Sequence, residues 1–362
     1  MVWMPKYTIT QSILASLAQI ENVKNAFEDK PLSPVLLSSL HKSAKVAAVH
    51  FSTQIEGNNM SFEQVENALY TNNQAVKTYH GHDEREVKSY YNAINYMEKY
   101  LAEGLPFSES FIKKIHGLIE GRKTADNYRQ TQNAIYNSSD GTLVYLPPEA
   151  KDVPQMMEDL TLWVNDNVKK LPVPVVAGLF HYQFVTVHPY IDGNGRTARL
   201  ITAYIMRKFG YGLKGIYSLE EYYAKNLRDY YEALAAHPHH NYYYGRADAD
   251  LTPWLAYFIK GAAEAFTNIS AKAANEQNKG FATDKTYALR ELDIKQRKIL
   301  ELFTEYKEIT SAQAGEYLEI SSQSAGLLLN KWVKDGFLQI ANPAKKNRTY
   351  TLADKYEELI IK

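Results

Sequence analysis

Cysteine is absent from the 362 residues. Disulfides and thiolate metal sites are thereby excluded, and the composition fits a reducing compartment. A charge excess is missing too: 41 Lys and Arg stand against 41 Asp and Glu. The chain as a whole is therefore not a general binder of nucleic acid or anionic membrane, and any such role must come from a local patch. No run approaches the roughly 20 apolar residues of a membrane helix. The start, Met1–Pro5 followed by Lys6, lacks the basic then apolar pattern of a leader. The sequence reads as cytoplasmic.

Most of residues 10–275 carries helical periodicity. Ile13, Leu14, Leu17 and Ile20 recur at helical spacing, as do Leu40, Ala44, Ala47 and Ala48. Ser61 before Glu63, Gln64, Val65, Ala68 and Leu69 reads as a helix start. Strands and helices do not alternate, which argues against a parallel sheet. One segment breaks the pattern. In 132–146, two β-rich runs flank Asn137-Ser138-Ser139-Asp140-Gly141, so a hairpin is expected, closed by Pro147-Pro148. The polar stretch Asn268–Asp284 reads as a helix end and linker. Beyond it, helices over Lys295–Tyr306, Ile309–Tyr317 and Ser321–Lys334 precede strands at Phe337–Ile340 and Arg348–Leu352. Leu327, Leu328 and Trp332 are assigned to the inner face of the third helix. That order predicts a winged helix-turn-helix. The expected fold is mostly α. Its parts are an N-terminal helical region (1–105), a helical core (106–275) and a C-terminal winged domain (285–362).

The chemistry is concentrated in His188-Pro189-Tyr190-Ile191-Asp192-Gly193-Asn194-Gly195-Arg196-Thr197-Ala198-Arg199, a tight turn between two apolar helices. Pro189 disfavours helix in the residue before it. Gly193 and Gly195 around Asn194 can turn backbone N–H groups into an anion nest at a helix N-terminus. Arg196 and Arg199, three apart, can share a helix face and meet phosphates. Asp192 offers a hard oxygen for Mg²⁺ held by phosphates. His188, with an ordinary pKa near 6.5, suits a general base. A bare Gly-x-Gly would be only a turn, but here about seven specified positions coincide. These are the parts of phosphoryl-type transfer; by themselves they do not say which phosphorus is attacked.

The segment resembles the signature of the Fic family, His-Pro-Phe-x-[Asp/Glu]-Gly-Asn-Gly-Arg-x-x-Arg, and departs from it only at Tyr190. The resemblance implies a helical fold and transfer of AMP from ATP to a Tyr, Thr or Ser hydroxyl of a protein. It implies that His188 deprotonates the target and that Asp192 holds Mg²⁺. The Gly193–Gly195 backbone and Asn194 are then expected to cradle the α- and β-phosphates, Arg196 to bind phosphate, and Arg199 to orient the γ-phosphate. The hairpin matches the family's flap in position. A target can add to its edge as a strand, with Ile135, Tyr136 and Tyr145 either clamping the target residue or simply packing the hairpin. Tyr231, in Asp229-Tyr230-Tyr231, is the choice for adenine contact.

A second pattern, Ser52-Thr53-Gln54-Ile55-Glu56-Gly57, ends a helix over about 40–57 and resembles the inhibitory [Ser/Thr]-x-x-x-Glu-[Gly/Asn] segment of such proteins. Ser52 and Glu56 fall on one helix face. The resemblance implies that Glu56 pairs with Arg199 in a desolvated cleft and denies it to ATP. Removal of AMP from a modified target, through a water placed by Glu56, is a further expectation.

Other readings stay open. Lys345, Lys346 and Arg348 lie in the predicted wing, and DNA binding by the C-terminal domain would make the chain a regulator with the helical body as sensor. Over 285–362, however, 13 basic residues stand against 11 acidic ones, too even for a clear DNA face. Target recruitment or self-association as a homodimer is favoured for this domain. A related enzyme with another nucleotide or phosphate donor is the third alternative. His237, His239 and His240 read as a solvated loop rather than a metal site, and His181 as a packed or hydrogen-bonded structural histidine.

Overall fold

The computed structural model describes residues 3–28, 32–70, 81–136, 140–280, 292–318, 320–344, 348–357 and 359–360. It is mostly helical. Two compact units divide the chain, Met1–Asn25 with Ala44–Asn268, and Ala26–Ser43 with Ile269–Lys362. None of the helices among the described residues is long and apolar enough to cross a membrane.

The first unit is organised around one helix, α7 (Val173–Val187). Every residue of it except Val185 is buried. A helix apolar on all sides is stable only when neighbours surround it. Here α6 (Val153–Asn167) and α8 (Asn194–Lys208) pack on it, and α4 (Gly81–Ala102) and α5 (Glu109–Ile119) pack on α8. Close approach is built in at Gly178. A Cβ there would lie 2.7 Å from the Phe258 ring, while the Trp254 indole donates to the Gly178 carbonyl at 2.7 Å. Both aromatics stand on α11 (Thr252–Gly280). Helix starts follow the sequence: the Ser108 hydroxyl caps α5 through the Phe111 N–H. Ser61 and Gln64 exchange bonds at the head of α3 (Phe62–Tyr70), the reciprocal arrangement of a capping box.

Before these come α1 (Gln11–Glu28) and α2 (Pro34–Ile55). Ile13 and Ile20 of α1 are buried, but Leu14, expected on the same face, is 60% exposed. The short helices α9 (Glu220–Lys225) and α10 (Leu227–Leu234) follow α8. The hairpin forms as expected, from β1 (Ile135–Tyr136) and β2 (Leu143–Tyr145), antiparallel with Ile135 opposite Tyr145. Asn137, Ser138 and Ser139 lie outside the described residues.

In the second unit α12 (Ile294–Glu305), α13 (Ser311–Leu318) and α14 (Ser322–Lys334) are followed by β4 (Leu338–Asn342), β5 (Thr349–Leu352) and the one-turn α15 (Asp354–Glu357). Two expectations are corrected. The second helix does not begin at Ile309: Ile309–Thr310 is a strand, β3, and the antiparallel sheet runs β3-β5-β4. β-branched residues opposite Thr349 and Tyr350 favour pairing over helix here. Leu327 is 71% exposed, whereas Leu329 and Trp332 enter the core with Phe337 and Tyr350. Of the stretch read as a helix end and linker, Asn268–Asp284, the part as far as Gly280 is helical, and 281–291 lie outside the described residues.

Candidate functional site

The motif turn is shaped by a left-handed residue at each end. α7 stops where His188 takes φ 51°, ψ 60°, its N–H still bonded to the Phe184 carbonyl at 3.0 Å. Gly193 takes φ 73° and caps α8, which starts inside the motif rather than after it. Asn194 holds the loop between them. Its Oδ1 accepts from the Tyr190 N–H (3.0 Å) and its Nδ2 donates to the Tyr190 carbonyl (2.9 Å). This side chain is therefore spent on the turn rather than offered to a ligand. The Gly193 N–H is taken by the Asp192 carboxylate at 2.6 Å. The first intrahelical bond of α8 runs from the Thr197 N–H to the Gly193 carbonyl at 2.9 Å, so the N–H groups of 194–196 are the helix's unspent donors. Donors left open at a helix N-terminus are the chemistry an anion site would need, and they begin one residue later in the chain than Gly193.

His116 of α5 supports the turn from behind. Its ring stacks on Tyr190 at 3.5 Å and 4°, and its Nε2 donates to the Asp192 carbonyl at 2.9 Å. Burial lowers its pKa, against the Asp192 carbonyl bond. Tyr190 is core, as expected for the phenylalanine it replaces.

The two arginines of α8 diverge. Arg199 is 2% exposed and points to the end of α2. Its Nε donates to the Ser52 hydroxyl (2.9 Å), and its Nη2 to the Ser52 carbonyl (2.8 Å) and to Glu56 Oε1 (2.7 Å). Burial opposes its charge, but Glu56 with the Tyr230 and Tyr90 phenols outweighs burial and raises its pKa. The Glu56 side chain is still 33% exposed, so the cleft is dry on the arginine side only, a correction to the desolvated pair expected. Arg196 faces the other way, to Glu86 (2.8 Å), Glu120 (3.3 Å) and Asp192 (3.5 Å). The expectation that both arginines serve phosphates from one face is corrected for Arg196, whose guanidinium braces α8 against α4 and α5. Removing the arginine from Glu86 and Glu120 costs about 3–5 kcal/mol because those two carboxylates, unlike Asp192, stay largely buried. Arg196→Met should therefore lower the unfolding free energy by about that amount in denaturant titration; an unchanged midpoint would show that the arginine is only a ligand group.

His188 is largely buried, and its Nδ1 donates to the Val185 carbonyl at 3.3 Å. That leaves Nε2 as the free lone pair. Burial pushes its pKa down to about 4; Arg129 adds to the depression, while the Val185 bond, Glu56 and Asp192 oppose it. The ring is thus neutral at pH 7. His181, the buried histidine of α7, is pushed down to about 3 by burial and by Arg199. Its Nδ1 bonds Thr202 (3.1 Å) and its Nε2 the Tyr230 hydroxyl (2.9 Å), the structural role expected for it. Burial raises the pKa of the Tyr230 phenol, which lies close enough to Arg199 for that charge to oppose the rise. Both histidines hold lower pKa values folded than unfolded. Their stabilisation is complete above about pH 6.5 and is lost as pH falls toward 4. At pH 5 each costs about 2 kcal/mol, since the unfolded chain takes a proton the folded one refuses. Melting temperature should fall steeply over that window, and less so in His188→Gln.

Tyr231 is half exposed, and its phenol feels both Glu56 and Arg199. Its ring is thus available at the cleft, as adenine contact requires. The flap residues divide. Tyr136 is exposed and Ile135 partly so. Tyr145 is buried, and its hydroxyl donates to the Thr186 carbonyl at 2.6 Å; of its two readings, packing is the one this geometry fits. On the far side of β2, the His240 ring donates to the Val144 carbonyl (2.8 Å), and the Leu146 N–H to the His240 carbonyl (2.9 Å). His237 and His239 accept bonds from the backbone of their own loop. No group of three or more His, Asp or Glu placed to hold a metal occurs among the described residues. In the C-terminal unit Arg348 turns to Asn330 at 3.5 Å, while Lys345 and Lys346 lie outside the described residues.

Residues 106–206 match the family model described as the Fic/DOC family. This segment is a Fic/DOC domain. The chain is 27% identical over 208 residues to protein adenylyltransferase Fic of Drosophila grimshawi, an alignment covering 56% of this chain and 41% of that protein. It thus spans less than half the length of the curated relative. Among solved structures, a Fic family protein from Desulfovibrio desulfuricans G20 has a TM-score of 0.60 at 23% identity, covering 97% of this chain and 99% of that one. Fic-1 from C. elegans has a TM-score of 0.58 at 21% identity, covering 73% of each chain. At these identities the likeness is one of fold. The Fic/DOC domain contains His188, Asp192, Arg196 and Arg199, whereas Glu56 comes from outside it. Sequence reasoning missed Arg129, Glu86, His116 and Tyr230. Arg129, Glu86 and His116 carry no local motif, Tyr230 stands beside Tyr231 in one that gives it no role of its own, and each has a decisive partner far away in the chain.

Proposed function

We propose that this chain is a protein adenylyltransferase, held inactive by its own Glu56. The observation that carries the activity is the pairing of a neutral imidazole at the end of α7 with unspent N–H donors at the head of α8. The observation that carries the inhibition is the carboxylate of Glu56, which bonds Arg199 and occupies the space that a Cβ on Gly195 would enter. Phosphate oxygens approaching the N–H groups of 194–196 meet that carboxylate.

With Glu56 displaced, the triphosphate of ATP lies on the head of α8, with Arg199 freed for its last phosphate and Tyr231 beside the adenine. The exposed Asp192 carboxylate suits Mg²⁺, which would take its remaining ligands from phosphate oxygens and water and supply charge neutralisation there. His188 Nε2 accepts the proton of the target hydroxyl. The hydroxyl oxygen bonds the α-phosphorus, the bond from that phosphorus to the bridging oxygen breaks, and pyrophosphate leaves with the electron pair. The target backbone adds on the β1 side of the flap, because the 240–242 segment covers the other side. Removal of AMP is a second reading of the same site: a water that Glu56 orients bonds the phosphorus of a modified target, and the bond to the target oxygen breaks, releasing AMP and the free hydroxyl. Loss of label from a modified target with wild-type protein tests it.

The test of the main reading is intact-mass measurement after incubation with Mg-ATP. Glu56→Gly should gain one AMP, alone or on an added target, and Glu56→Gly with His188→Ala should gain none. A phosphate-sized gain would instead assign a different donor pose.

A further inference from the structure

Arg129 is 4% exposed, yet no carboxylate pairs with it among the described residues; its acceptors are all neutral. Its Nε donates to the His188 carbonyl at 2.9 Å. Nη1 donates to the Thr131 carbonyl (3.1 Å) and the Gln132 side chain (3.3 Å), and Nη2 to the Pro148 carbonyl. Its own N–H donates to the Pro189 carbonyl at 2.9 Å. One guanidinium fork thus gathers the residue before the motif proline and both ends of the hairpin. A buried cation with no anionic partner is costly to keep, and burial does lower its pKa. The fork geometry accounts for its retention, since only arginine offers five donors in a fixed plane.

What it holds is unusual. His188 is not glycine, yet its backbone sits at φ 51°, a region that costs a side-chain-bearing residue of order 1 kcal/mol or more unless its surroundings over-determine it. Nearby, Asn133 Nδ2 donates to the Tyr190 carbonyl at 3.0 Å and Gln132 Nε2 to the Pro147 carbonyl at 2.9 Å. The flap base and the motif turn are therefore one hydrogen-bonded body, with Arg129 at its centre.

Resting on the reading of His188 as base and of the hairpin as target dock, we propose that Arg129 is the positioning residue that keeps the two in register. It fixes the imidazole by its backbone and the docking strand by its two ends. It touches neither ATP nor target, so its loss separates binding from turnover.

The experiment uses the full chain carrying Glu56→Gly, with Arg129→Met and Arg129→Lys added in turn. The Met variant should lose about a hundredfold in kcat, the loss a misplacement of about 1 Å brings, with KM for ATP nearly unchanged. Lysine keeps the charge without the fork, so it should restore little of the rate. The His188 ring titration, followed by NMR, divides the two contributions. Arg129, Asp192 and, in the wild type, Glu56 are the charges facing that ring. Arg129→Met should raise its midpoint relative to the parent and Arg129→Lys should leave it in place. Hydrogen exchange should quicken together at 132–147 and 188–193 while α7 and α8 keep their protection. A Met variant with unchanged rate overturns the proposal. So does exchange that rises throughout the core, or a parallel loss of ATP binding, either of which makes Arg129 a general stability residue. If the Glu56→Gly parent transfers no AMP, the activity reading falls, while the exchange and titration results still decide whether Arg129 joins the two segments.

Discussion

Glu56→Gly is expected to raise AMP transfer by about a hundredfold or more. A buried, bidentate arginine contact to a phosphate is worth a few kcal/mol, and each 1.4 kcal/mol is tenfold in rate. In the resting chain that contact is occupied, since Glu56 bonds Arg199 at 2.7 Å. The glutamate lies one residue past the end of α2, before Gly57 at φ 98°, so replacing it removes no helical turn. Its carboxylate is partly in water while the guanidinium is not. The variant therefore leaves a buried cation with Ser52 as its hydrogen-bond partner, and it should melt lower than wild type. Mg-ATP, which resupplies an anion, should raise the melting temperature of the variant more than that of the wild type. Rates with labelled ATP measure the main effect. Equal transfer by the two proteins would remove autoinhibition as an account of this contact.

His188→Ala in the same background should cost transfer about 10²–10⁴-fold, the usual contribution of a positioned general base. Binding of ATP, measured by calorimetry, should change little, because the phosphates meet the head of α8 and Arg199. The pH profile gives a sharper check. A base must be unprotonated to act, and the ring's pKa is pushed down to about 4 by burial. Activity is therefore lost on the acid side, as pH falls through that value. For kcat/KM, which reports the free enzyme, the profile should be flat from about pH 8 down to about pH 5 and fall below. An acid limb near the ordinary histidine value of 6.5 would mean that the imidazole is solvated and that its burial plays no part.

The C-terminal unit shows how far periodicity carries an inference. Its three helices and hairpin were legible from spacing, but Leu327 was placed inside on apolarity alone and stands in solvent. The short β3 was invisible because two residues carry no period; its identity depends on Tyr350 and Thr349 across the sheet. Likewise the end of α11 was set too early, since polar composition marks a solvated helix as readily as a linker.

The sequence by itself determined the chemistry available at this site. Twelve consecutive residues contain the imidazole, the carboxylate, the nest and the arginines, and local backbone rules alone require the bend that joins them. Only the tertiary structure decided how those groups are used. It turned Arg196 away to Glu86 and Glu120, gave Arg199 to Glu56, and set Arg129 beneath His188. The reason is physical: a guanidinium will take any acceptor of suitable geometry. Which acceptor lies within 3 Å depends on contacts between segments 59 to 143 residues apart, and no local pattern records them.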